Sequence, residues 1–179
     1  MFISVIFILG CGGFKVLVMD DPFKKTTIVK VNMWHKVVEG YLDNRLIVYE
    51  REINQGKKSL TNVSFTFYAT SRFDGKKMED KIYLLIDGKS FTLPINDIKD
   101  DTKTETGMHG VGGPVIHART YNISQRYIYG KFQLTPEIEQ AILNCKDYSM
   151  RVYMDTETTT LRATDNQLDS VKEFLMVGR

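Results

Sequence analysis

Cysteine is scarce in this chain: 179 residues hold two, Cys11 and Cys145. Neither belongs to a CxxC pair or stands at metal-ligand spacing from a histidine, so neither a disulfide framework nor a structural zinc is expected. An excess of one charge is lacking too. Twenty-four Lys and Arg against 22 Asp and Glu leave +2, too little for a chain whose main work is neutralising nucleic-acid phosphates. No apolar run approaches the ~20 residues that cross a bilayer as a helix. GxSxG, HExxH and paired Cys/His signatures are missing, so the sequence names no catalytic residue, metal or cofactor. Repeats, heptads and low-complexity tracts are absent as well, and the length suits one domain with one core.

What is present leans towards β structure. Hydrophobic residues make up 42% and charged residues 26%, a globular balance, and the 11% aromatic content is mostly Phe and Tyr. Period-two runs appear at residues 27–34, 46–52 and 63–69; in the last, Val63, Phe65, Phe67 and Ala69 alternate with Ser64, Thr66 and Tyr68, the pattern of a strand with one buried face. Residues 82–86 and 91–95 flank Asp87-Gly88, a dipeptide suited to a type I′ hairpin because both of its central positions need positive φ. Residues 97–113, acidic and Thr-rich before a Gly-rich end, read as a long loop. Residues 115–123 and 126–134 read as an antiparallel pair turning at 122–125.

Thr135-Pro136 starts a helix as N-cap and N1, and Ile138, Ala141, Ile142 and Cys145 then recur at helical spacing. Strands around 148–155 and 160–163 follow. A capping-box pattern from Thr164 to Gln167 opens a last helix with Leu168, Val171, Phe174 and Leu175 as its buried stripe. The expected fold is α+β, mainly an antiparallel sheet or sandwich with two C-terminal helices packed on it.

Near the amino terminus, an apolar segment ends in Ile8-Leu9-Gly10-Cys11. This resembles the lipobox of bacterial lipoproteins. The resemblance implies that residues 1–11 are a signal ending at the lipidated Cys11, that 12–179 form the mature β-rich domain, and that the protein is membrane-anchored in a bacterial cell envelope, at the outer membrane or facing the periplasm in a Gram-negative cell. The other reading of the same residues is one or two buried strands broken by Gly10, Gly12 and Gly13, which would make the chain an intracellular β-rich interaction module.

Alternation through residues 115–134 places His117, Arg119 and Tyr121 on one face of a strand and Tyr127, Tyr129 and Lys131 on one face of the next. Such a patch can stack on sugars, pair with anions or anchor a protein. The expectation is therefore a non-catalytic, lipid-anchored module that binds a protein or glycan, with no nucleic-acid partner. The competing expectation is a hydrolase or metal-dependent enzyme using the Gly-rich loop at 107–114, His109 and His117, with Asp97, Asp100 or Asp101 as further ligands.

Overall fold

A computed structural model describes residues 5–7, 14–69, 75–111 and 117–177; for 5–7, 44–45, 105–111 and 117–123 the description is of backbone. The lipobox at 8–11 and the glycine-rich residues 112–114 lie outside the described residues. In chain order the elements are β1 (Val5–Phe7), β2 (Val16–Asp21), β3 (Thr26–Met33), β4 (Lys36–Glu39), β5 (Leu42–Asn54), β6 (Lys57–Lys58), β7 (Thr61–Ala69), β8 (Lys81–Ile86) and β9 (Lys89–Pro94). They continue through β10 (Asn96–Val111), β11 (His117–Leu134), α1 (Pro136–Asn144), β12 (Tyr148–Met154), β13 (Glu157–Arg162) and α2 (Asp165–Met176). The fold is α+β, mostly antiparallel sheet with two helices.

Two sheets divide the strands. The larger runs β1-β2-β3-β5-β7-β11-β10, with β6 hanging on β5, and the smaller runs β4-β13-β12-β8-β9. Strict alternation explains β7, whose odd-numbered residues are buried while its even-numbered ones are not. Turn chemistry explains the hairpins: Asp87 and Gly88 carry φ of 46° and 82°, and Gln55 and Gly56 carry 48° and 77°, as type I′ turns require. Thr135 accepts the Ile138 N–H at 3.4 Å and Pro136 opens α1. At α2, Gln167 Oε1 accepts the Thr164 N–H at 2.9 Å. Ile142, Phe174 and Leu175 are fully buried, and one cluster joins buried residues of both sheets and both helices.

One buried charge ties helix ends to the larger sheet. Arg51 of β5 is 1% exposed, and its Nη2 donates to the Phe174 carbonyl at 2.7 Å while its guanidinium lies 4.8 Å from the Phe174 ring. The last turn of α2 has no basic residue of its own, so Arg51 supplies the positive charge that a helix carboxyl end favours. Its Nη1 lies 3.6 Å from Glu139 in the first turn of α1, and Glu139 also accepts the Thr61 hydroxyl. A second buried polar group centres on His35, whose Nε2 is 3.3 Å from the Tyr49 hydroxyl and 3.2 Å from Met33 Sδ. Tyr49 donates onward to Tyr148 at 3.1 Å. Burial holds His35 neutral, its pKa pushed down to about 3, and raises both tyrosines.

Two expectations fail. Residues 96–111 form a strand where a loop was expected, and no turn interrupts 122–125, because β11 is one continuous strand of 18 residues. Thr102, Thr104 and Thr106 alternate with Asp101, Lys103 and Glu105, so the strand has β-favouring residues but no apolar face to announce it. The central part of the amino-terminal apolar run lies as β1, an edge strand pairing Val5 with Met19 and Phe7 with Leu17. Among the described residues no helix is long and apolar enough to cross a membrane.

Candidate functional site

The strand β11 has two different halves. From Arg126 to Leu134 it pairs with β7 on one side, while β10 follows it on the other from Asn96 to Val111. Among the described residues, it pairs from His117 to Gln125 with β10 alone. At about 3.3 Å per residue, that outer half makes a two-stranded ribbon roughly 30 Å long leaving the sheet.

At the ribbon's base the register slips. Asn96 faces Lys131 and Lys99 faces Tyr129, so Asp97 and Ile98 together oppose the single residue Gly130. Asp97 takes a φ of 56°, the left-handed conformation that Asp tolerates best after Gly and Asn, and the result is a β-bulge. Gly130 is required on the other strand, since a Cβ there would lie 2.3 Å from the Phe65 ring and 2.8 Å from Ile95. The bulge opens a cavity of 320 Å³ lined by Ser64, Thr66, Asp97, Lys99, Tyr129 and Lys131, with Phe65 and Gly130 at its floor.

Aromatic rings continue this surface across the sheet. Tyr127 and Tyr129 stack with centroids 6.4 Å apart, and Tyr68 of β7 lies 6.0 Å from Tyr127. Lys103 Nζ sits 5.4 Å from the Tyr127 ring, and the Tyr127 hydroxyl donates to Gln125 at 2.6 Å. Arg126 is occupied elsewhere: its Nε donates to Asp100 at 2.8 Å and its Nη2 to the Lys76 carbonyl at 2.7 Å. That hydrogen bond holds the Asp100 carboxyl below its usual pKa. The cations left facing the tyrosines are Lys99, Lys103 and Lys131, all exposed.

The sequence patch is therefore only partly assembled. Tyr127, Tyr129 and Lys131 share one surface, with both tyrosines half-buried. His117, Arg119 and Tyr121 lie farther along the same strand rather than on a neighbouring one; Tyr121 is six residues from Tyr127, roughly 20 Å along a strand. His109 stands opposite Arg119 and Val111 opposite His117 in the ribbon register. Among the described residues, no three His, Cys, Asp or Glu side chains form a candidate metal-ligand group. Sequence reasoning missed Lys99 and Lys103, and it named Asp97 only as a possible ligand beside His109 and His117; all three reach the tyrosines through the pairing of β10. The alternation of Thr with charge at 101–106 was the available signal.

A second, smaller concavity of 180 Å³ lies on the smaller sheet, between Tyr83, Leu85, Ser90, Ser149, Arg151 and Tyr153. Its cation and one of its tyrosines are engaged: Arg151 donates to Thr160 and Glu39, each at 2.8 Å, and Tyr83 donates to Glu79 at 2.9 Å. The bond to Glu79 raises the Tyr83 pKa.

This geometry defines a twisted antiparallel sheet that carries an aromatic and cationic cavity at the root of a projecting ribbon. No protein-family model, curated protein or solved structure matches the chain.

Proposed function

We propose that this chain is a non-catalytic binding module, held in a bacterial envelope by a lipid on Cys11, and that the cavity at the ribbon base takes an acidic glycan. One observation carries the reading: Tyr129 lines a 320 Å³ cavity together with Lys99, Lys131 and Asp97. A tyrosine ring offers the apolar face on which a sugar stacks. Lys99 and Lys131 supply ammonium donors for a carboxylate or sulfate, and Asp97 accepts from hydroxyls. The neighbouring Tyr127 and Tyr68 rings extend the stacking surface beyond one sugar unit. The two helices, proposed to lie against the sheet, keep its other face dry and the tyrosine face rigid.

The anchor reading rests on Ile8-Leu9-Gly10-Cys11 and is compatible with the architecture. Of the described elements, cleavage before Cys11 would remove β1, and among the described side chains the buried core begins at Val16. Retention of acidic and neutral glycans by the full chain tests the cavity. Tyr129→Ala combined with Lys131→Ala should lower the affinity for acidic glycans at least ~10-fold, while stability stays within about 0.5 kcal/mol, as for most surface changes. A stable double variant that binds as the wild type does would reduce the surface to sheet packing.

A further inference from the structure

We propose that the corner where β3 passes into β4 is a membrane-contact edge, with Phe14, Trp34, Val38 and Tyr41 entering the headgroup region of an anionic bilayer and Lys36 meeting its phosphates. The proposal rests on the lipid-anchor reading of Cys11 and adds what the folded domain does once it is there.

Four large apolar side chains are exposed at this corner: Phe14 at 37%, Trp34 at 56%, Val38 at 50% and Tyr41 at 49%. The registers bring them together. Val16 pairs with Val31, so Phe14, two residues earlier, stands level with Met33, the neighbour of Trp34. From there the chain turns into the edge strand β4, where Trp34, Lys36 and Val38 are exposed while His35 is buried and Val37 half-buried. Tyr41 follows directly after the Gly40 turn. Glu39, an acidic residue of this strip, is paired with Arg151 at 2.8 Å, and Lys36 is exposed on the same side of β4 as Trp34 and Val38.

A bilayer suits this strip better than a protein does, because of where the chain comes from. Cys11 precedes Phe14 by three residues, at most ~11 Å of extended chain. Acyl chains on Cys11 therefore bring this corner to the lipid surface with no polar spacer to hold it off. Trp and Tyr are enriched where one end of a side chain must be apolar and the other wet, and a cation such as Lys36 beside them favours anionic headgroups. The ribbon leaves the larger sheet from the same end. Twist of roughly 20–25° at each of the four steps from β2 to β11 turns it by about 80–100°, so it runs along the surface rather than into it.

Trp34 is the single tryptophan of the chain, which makes its fluorescence a direct reporter. The full chain, isolated with its amino terminus characterised by mass, is reconstituted into vesicles of phosphatidylglycerol and phosphatidylethanolamine. Trp34 emission should shift to the blue, be quenched by brominated acyl chains and lose its accessibility to iodide. Val38→Ser with Tyr41→Ser should cut the bromolipid quenching by about half, in line with the apolar area withdrawn. A chain lipidated at Cys11 whose Trp34 remains open to iodide and untouched by bromolipid would overturn the edge and leave the anchor standing. If Met1 is found intact, the anchor reading falls by itself. The same quenching, read on that unlipidated chain with the same vesicles, then decides the edge: bromolipid quenching supports it and free iodide access overturns it.

Discussion

The inner and outer halves of β11 share one backbone and obey different rules. Ile128, Phe132 and Leu134 of the inner half are buried, and Gly130 between them makes room for Phe65. This half has a strand on either side and a core beneath it. Among the described residues the outer half has β10 as its one neighbour, and the exposed Thr104 and Ser124 meet across it at 3.1 Å. The backbone pairing of β11 with β10 thus continues for roughly 30 Å beyond the residues that pair with β7. The stability of the molecule should lie in one half and its reach in the other, with the tyrosine cavity at the junction.

The contrast is broken most severely from the core side. Arg51→Met removes the guanidinium that faces both the Phe174 carbonyl and Glu139, leaving a buried carbonyl and a carboxylate without it. Urea denaturation at pH 7 should show a loss of about 3–5 kcal/mol, the range for removing one partner from a buried ionic group; a loss under ~1 kcal/mol would show that water takes over. The pH dependence sharpens the contrast next. His35 is neutral when folded down to about pH 3, whereas the unfolded chain takes up a proton near pH 6.5. Between these values the unfolded state binds more protons, so stability falls as pH drops from 6.5 towards 3 and is flat above. His35→Phe should flatten this slope by an amount on the order of a few kcal/mol. Equal slopes in both proteins, measured by melts between pH 4 and 7, would rule out His35 as its source. The smallest effect belongs to the ribbon. Joining Lys103 to Gln125, which face each other in the register, through an Asn-Gly turn excises its outer part. Thermal melting should then report a change within about 1 kcal/mol, and a loss of several kcal/mol would place the ribbon among the parts that carry the fold.

The same contrast explains what could be read from the residues. Burial writes a parity into sequence, and β7, the Asp87-Gly88 hairpin and the stripes of both helices were legible because each has one dry side or one turn of special φ. β10 was not, since Asp101 through Thr106 is polar on both faces and matches the composition of a loop. The turn expected at 122–125 was inferred from polarity alone; Asn122-Ile123-Ser124-Gln125 contains neither glycine nor proline, and that was the sign of a continuous strand. Half of the cavity followed from the alternation of Tyr127, Tyr129 and Lys131. The other half depends on a bulge at Asp97, and a one-residue slip between strands far apart in sequence leaves no periodic mark.

Arg51 also bears on when the molecule can fold. Its hydrogen bond to Phe174 spans 123 residues, and at roughly 5–20 residues per second a ribosome needs about 6–25 s to deliver the acceptor after the donor. Through that interval β5 carries a guanidinium that cannot be buried with its partner, so the central strand of the larger sheet stays unsealed until α2 has been made. Closure of the core at β5 is thus a late event of folding, tied to the arrival of α2 rather than to the pairing of the neighbouring strands.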